Sequence, residues 1–240
     1  DDATIPHDLM DRPPITTYLE TLRIAKRDYG RRMGVLGKVM GPFSMAQVMH
    51  GIEPLLVATL DNHKLVSQLL DVCRQILVRC ANAQLDAGAD AIAIGEGGAG
   101  AQMLSPAAYE NLLLPVHKQM IAEIDGPTVL HICGNILPRV HMSGRTGVTC
   151  FNFDWAIAPQ VMVDQVGGAF CLMGNVNTAD LLLGQPDEIK GQVVENLEAG
   201  VDVISPGCAI SPRCPNANLR AMVEAVIQWH AGRGRTKQVA

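Results

Sequence analysis

From residue 34 onward, short runs of apolar residues alternate with longer amphipathic ones. "VLGKVMGPF" (35–43) has the length and composition of a strand ended by Gly-Pro, and a long helical pattern occupies 60–88 up to Gly88. "DAIAIGEG" (90–97) then reads as a buried strand. Residues 105–124 read as a helix, with Ser105 as N-cap and Pro106 in the first helical position. The same alternation predicts strands at 128–134, 147–153, 169–176 and 202–207. Helices fall near 136–143, 157–166, 185–200 and 216–232. The strands are apolar throughout rather than alternating, which predicts a parallel sheet whose faces are covered by helices.

Six strands can be read, two short of an eight-stranded barrel. The first 34 residues add mainly one helical segment, "TTYLETLRIAKRDYG". A doubly wound sheet would carry G-x-G-x-x-G at the opening of its first helix, and "GEGGAG" (95–100) lacks that spacing. The expected fold is therefore an α/β (β/α)8 TIM barrel lacking its first strands in this chain. A lead-in and helix over 1–33 would precede a barrel domain over 34–240.

Polar residues gather where these strands end. Glu96 follows "AIAIG", His131 and Cys133 close "TVLHICG", and Asp154 follows "CFNF". Asn175 and Asn177 follow "CLMG", and Cys208 follows "DVISPG". In a barrel, the C-terminal ends of the strands form the face that carries the chemistry. Residues two apart in a strand share a face, so His131 and Cys133 project together while Leu130 and Ile132 pack behind. Cys208 could close toward them. One imidazole and two thiolates suit zinc and leave a fourth position open. The competing reading is plain core, since cysteine is among the most frequently buried residues. Glu96 and Asp154 are candidate catalytic carboxylates: each could cap the helix that follows it or pair with an arginine, or steer protons, hold substrate or touch the metal. Asn175 is a candidate cofactor contact. Met40 and Ser44 flank the mouth implied by "GPFS". His50, His63, His117, His141 and His230 fall away from strand ends and read as polar surface.

Composition narrows the partners. The 19 basic and 24 acidic residues give a formal charge of −5 with no basic stripe, which argues against nucleic acid. No apolar run reaches membrane-spanning length. Seven scattered cysteines fit a reducing compartment, hence a cytoplasmic protein, better than a disulfide framework. Cys73 and Cys80 share a helix face, Cys150 and Cys171 lie within strands, and Cys214 is a spare thiol near Cys208. A homodimer is compatible with the sequence.

"KVMGPFSMA", "GADAIAIGEGGAGAQMLSP", "TVLHICGN", "MGNVNTADLLLGQPDEI" and "GVDVISPGCAISPRCPNANLRAMVEA" together resemble the methylcobamide:coenzyme M methyltransferases, in the uroporphyrinogen decarboxylase superfamily. The resemblance covers about residues 15–230. It implies a (β/α)8 barrel that moves a methyl group from the methylcobamide of a separate corrinoid protein to a zinc-bound thiol such as coenzyme M. It also implies that 34–240 is the C-terminal part of a longer family domain, and that His131, Cys133 and Cys208 hold the zinc. The sequence leaves three alternatives open: a tetrapyrrole decarboxylase, an enzyme that methylates the corrinoid protein from a small donor, and a non-catalytic corrinoid-protein partner with structural zinc.

Overall fold

A computed structural model describes residues 5–236 of the chain, which divides into two compact units with the boundary between Thr149 and Cys150. Among the described residues there are six strands, three per unit, each alternating with helices. Within each unit the strands pair in parallel with their sequence neighbours. The fold is thus α/β with parallel strands, as the apolar runs predict. No helix among the described residues is long and apolar enough to cross a membrane.

The first unit opens with helix α1 (Pro13–Tyr29), where two prolines supply the preset φ of a first turn. Strand β1 (Leu36–Met40) follows, then α2 (Pro42–His50), α3 (Ile52–Asp61) and α4 (His63–Asp86). The sequence pattern shows only the last of these helices and lets the strand run to residue 43. Pro42 has no N–H to give a sheet but fits the first turn of α2, so β1 stops at Met40. Gly51, at φ +97°, then separates α2 from α3. Asn62 caps α4 by accepting the Leu65 N–H at 3.2 Å. Leu19 and Leu22 of α1 pack on Ala87 beyond the end of α4, and Lys26 meets Asp90 at 2.5 Å.

Strand β2 (Ala91–Gly95) pairs with β1, and β3 (Thr128–Ile132) pairs with β2. Between them the expected single helix is three pieces: α5 (Pro106–Ala108), a π turn (Tyr109–Leu113) and α6 (Leu114–Ala122). Ser105 caps the first piece as expected. Pro115 explains the π turn. Its ring cannot donate to the preceding turn and crowds the carbonyl four residues back, so the backbone widens there. Helix α7 (Val140–Arg145) ends the helical part of the unit.

The second unit holds β4 (Cys150–Phe153), β5 (Cys171–Val176) and β6 (Val203–Pro206). Its helices are α8 (Pro159–Val166), α9 (Thr178–Leu183), α10 (Pro186–Ala199) and α11 (Asn216–Thr236). Gln185 and Glu188 form a capping box on α10, and Gly200 in a left-handed conformation ends it. Val176, Leu181, Ile189, Val193, Ala221, Met222 and Ala225 make the core of this unit. Burying such side chains contributes roughly 1.5–3 kcal/mol each for the larger ones.

Candidate functional site

Strand β3 sorts its residues as the period-2 rule requires. Leu130 and Ile132 are fully buried, while His131 and Cys133 are half-buried and share the opposite direction. The His131 Nε2 and Cys133 Sγ stand 3.1 Å apart. Gly134, at φ +78°, turns the chain immediately afterwards, and a side chain there would press on Gln102. Across the strands of this unit, His131 is in register with Gly95, and Gly95 with Met40. A Cβ on Gly95 would stand 3.6 Å from Lys38 Cε, so the Lys38 side chain runs past this position.

The donor chemistry of this pair fits zinc. An imidazole nitrogen and a thiolate on a tetrahedral zinc lie about 2.0 and 2.3 Å from the ion, hence about 3.5 Å from each other. The 3.1 Å contact is that of a thiol hydrogen-bonded to imidazole and is short of the ligand spacing by only a few tenths of an ångström. A small outward rotation of either side chain would open it.

Glu96, at the end of β2, is fully buried, and both its oxygens are engaged. Oε1 accepts from the Ser44 N–H at 2.7 Å and the Ser44 hydroxyl at 2.6 Å. Oε2 accepts from the Phe43 N–H at 3.1 Å and lies 2.9 Å from His117 Nε2. The carboxylate thus caps the N-terminus of α2, whose own N-cap residue, Gly41, has no side chain to do so. Of the readings the sequence leaves open for Glu96, a cap is what its contacts provide, although on α2 rather than on the helix that follows it. Gly41 is obligatory here, because a Cβ would overlap the Glu96 carboxylate.

His117 departs from expectation. His50, His63, His141 and His230 are exposed, but His117 is only 1% exposed. It bridges Glu96 and the Tyr109 hydroxyl, the latter 3.0 Å from Nδ1. Nε2 lies against the carboxylate and Nδ1 against the phenol oxygen, so both ring nitrogens have a polar partner. The Arg139 guanidinium lies 4.5 Å above the Tyr109 ring and donates to the carbonyls of Ala99 and Leu104. Its Nε has no partner among the described residues. Burial holds the Tyr109 phenol above its ordinary pKa and the Arg139 guanidinium below its own.

In the second unit, Cys208 follows β6 by two residues and is half-buried. Gly207 before it is close-packed, since a Cβ there would come within 2.7 Å of the Trp155 nitrogen. Asp154, at the end of β4, is 7% exposed, and its Oδ1 accepts from the Ala156 N–H at 2.8 Å. Asn175 donates from Nδ2 to the carbonyls of Ile157 at 2.6 Å and Asp154 at 3.1 Å, and its own N–H donates to Asn196. The peptide preceding it, Gly174–Asn175, is cis. Asn177 caps α9. Cys214 donates to the Leu181 carbonyl at 3.0 Å, and Cys150 and Cys171 face each other in register with their sulfurs 2.6 Å apart.

The relatives of this chain supply the remaining context. The family model for uroporphyrinogen decarboxylase (URO-D) matches residues 2–229. The chain belongs to the URO-D family. Within it, the chain is 33% identical to the methylcobamide:CoM methyltransferase MtbA of Methanosarcina acetivorans over 210 residues, 86% of this chain and 61% of that protein. It is 30% identical to the methylcobamide:CoM methyltransferase MtaA of Methanosarcina barkeri over 233 residues, 96% of this chain and 69% of that protein. The solved structure of a methyltransferase from Methanosarcina mazei superposes with a TM-score of 0.91 at 30% identity. It covers 95% of this chain and 68% of that one. The chain therefore spans about two thirds or less of the length of these URO-D relatives.

Two residues with evident work escaped the sequence reading. His117 sits in mid-helix with no strand end beside it, and its only sequence signal is a histidine on the apolar side of α6. Asn152, inside "CFNF", donates from Nδ2 to the Ser205 hydroxyl and to the carbonyls of Met173 and Pro206, tying β4 to both β5 and β6. A lone amide within an otherwise apolar strand was its signal.

Proposed function

We propose that this chain carries the zinc centre of a corrinoid-dependent methyltransferase built on a (β/α)8 barrel. The enzyme takes a methyl group from the methylcobamide of a corrinoid protein and gives it to a small thiol of the coenzyme M type. The observation that carries the reading is the His131–Cys133 pair, 3.1 Å apart at the end of β3. It occurs in a chain about a third identical to proteins named methylcobamide:CoM methyltransferases. Cys208 is the third ligand in this proposal; each of the three residues offers one ligand atom, a nitrogen or a sulfur.

When bound, zinc supplies the acidity that keeps an acceptor thiol ionised at neutral pH, where a free thiol is mostly protonated and a poor nucleophile. The residues of the chain do the rest. In this proposal His131, Cys133 and Cys208 would hold the metal. Asp154 and Asn175 shape the ends of β4 and β5 around the substrate. The acceptor sulfur attacks the methyl carbon, a carbon–sulfur bond forms, and the carbon–cobalt bond breaks with its electron pair staying on the corrinoid. No strong general acid is needed, because the leaving group is not protonated as it departs. Catalysis then rests on positioning.

Metal analysis of the purified chain should find about one zinc per molecule. His131→Ala and Cys208→Ser should each reduce zinc to a small fraction of that. On the full polypeptide, both should abolish thiol-dependent demethylation of methylcobalamin. Undiminished methyl transfer by a zinc-free preparation would overturn the proposal. A metal-free protein that decarboxylates an acidic tetrapyrrole would favour the reaction for which the family is named.

A further inference from the structure

The buried chain Ser44–Glu96–His117–Tyr109 does more than cap a helix. Its members hold one short segment, Glu96–Gly100, which lies directly against Cys133. The Glu96 N–H donates to the His131 carbonyl at 2.8 Å. The Gly98 N–H donates to the Ser44 hydroxyl at 2.9 Å, and Gln47 Nε2 reaches the Gly98 carbonyl at 3.3 Å. A Cβ placed on Gly97 would stand 3.5 Å from the Cys133 sulfur, and one on Gly100 would stand 3.2 Å from the Cys133 carbonyl. A Cβ on Gly98 would overlap the Gln47 amide. Gly98 and Gly100 thus leave little room for a side chain, and the segment runs between α2 on one side and Cys133 on the other. Further along, the Ala99 carbonyl is held by Arg139, which stacks on Tyr109. The Ser44 and Arg139 tethers of the segment thus belong to the Glu96 chain or touch it, while Gln47 and the His131 carbonyl hold it independently.

We propose that Glu96 and His117 are positioning residues that clamp the Glu96–Gly100 segment over Cys133 and so set how firmly the metal is held and how fast it exchanges. The inference rests on the zinc reading above. The physical argument is that a ligand's outer contacts fix its orientation and exclude water from it. Cys133 is faced on one side by Gly97 and Gly100, which have no side chains. Their backbone keeps this place while the anchoring carboxylate keeps its four donors. His117 supplies the one donor that comes from outside α2, so it couples the segment to α6 and, through Tyr109, to the π turn.

The test uses the zinc-loaded chain, a chromophoric chelator in excess, and cobalt(II) in place of zinc as a spectroscopic probe. His117→Ala should release zinc about tenfold faster or more than the parent, and should shift the cobalt(II) ligand-field bands. His117→Gln, whose amide keeps a donor at about the reach of Nε2, should return both towards the parent values. Ser44→Ala removes the hydroxyl that links Glu96 to Gly98. It is the milder variant should His117→Ala fail to fold, and it should release zinc a few-fold faster. Unchanged release rates with superimposable cobalt spectra in folded His117→Ala or Ser44→Ala would reduce the network to ordinary packing and overturn the inference. A parent chain that binds neither zinc nor cobalt would instead overturn the metal reading itself, a result distinct from the first.

Discussion

The two units solve the same problem with opposite chemistry. In the first, the strand-end group is a carboxylate, Glu96, encircled by donors: two backbone N–H groups, a hydroxyl and an imidazole. In the second, two amides within the strands, Asn152 and Asn175, turn their Nδ2 atoms mainly to carbonyls, beside the strand-end carboxylate Asp154. A buried carboxylate is tolerable only where every lone pair is met, and here the N-terminus of α2 adds its partial positive charge. An amide carries no charge to desolvate and tolerates a missing partner better. The first unit is therefore the brittle one, and its brittle point lies beside the proposed ligand Cys133.

The comparison is broken most severely at Glu96. Glu96→Ala leaves the Ser44 hydroxyl, the His117 Nε2 and two helix N–H groups buried without their acceptor. Loss of one partner from a buried charged network costs about 3–5 kcal/mol. Urea unfolding should show that loss in the midpoint. Glu96→Gln should also destabilise, since one carboxylate oxygen becomes an NH2 group facing donors. A Glu96→Gln protein as stable as the parent would mean that the donors around this side chain do not depend on its second accepting oxygen.

The second unit gives the smaller effect. Asn175→Ala removes the donor from two carbonyls, for about 2 kcal/mol. Asn175→Asp has the same shape but sets a carboxylate against the oxygens of Asp154 and Ile157, and it should be worse than alanine. The pairing is diagnostic. If Asp were the better tolerated of the two, Asn175 would be accepting rather than donating hydrogen bonds, and the contrast between the units would disappear.

The parts of this arrangement that show in the sequence are those whose cause is local. The period-2 placement of His131 and Cys133 needs only their spacing, and the Ser105 cap needs only the four residues to Ala108. Helices α2 and α3 stay hidden although Gly41-Pro42 and Gly51 punctuate them. Their apolar residues do not form one clean stripe, and Val48, Met49, Ile52 and Leu60 are exposed. His117 is illegible for a different reason. Its partner Glu96 is 21 residues away, and the two meet only because Pro115 forces a π turn into the helix between them. Asn152 likewise joins residues 53 and 54 positions apart. Polar side chains that bond across long stretches of chain leave no periodic trace, and both networks are of that kind.

The smallest test falls at the far end of the first network. Tyr109→Phe keeps the ring under Arg139 and the packing of the π turn, and removes only the hydroxyl that meets His117 Nδ1. One buried hydrogen bond to a neutral partner contributes about 1 kcal/mol, so the urea midpoint should fall by that amount and no more. A fall several times larger would mean that the hydroxyl anchors the whole Ser44–Glu96–His117–Tyr109 chain rather than only its far end.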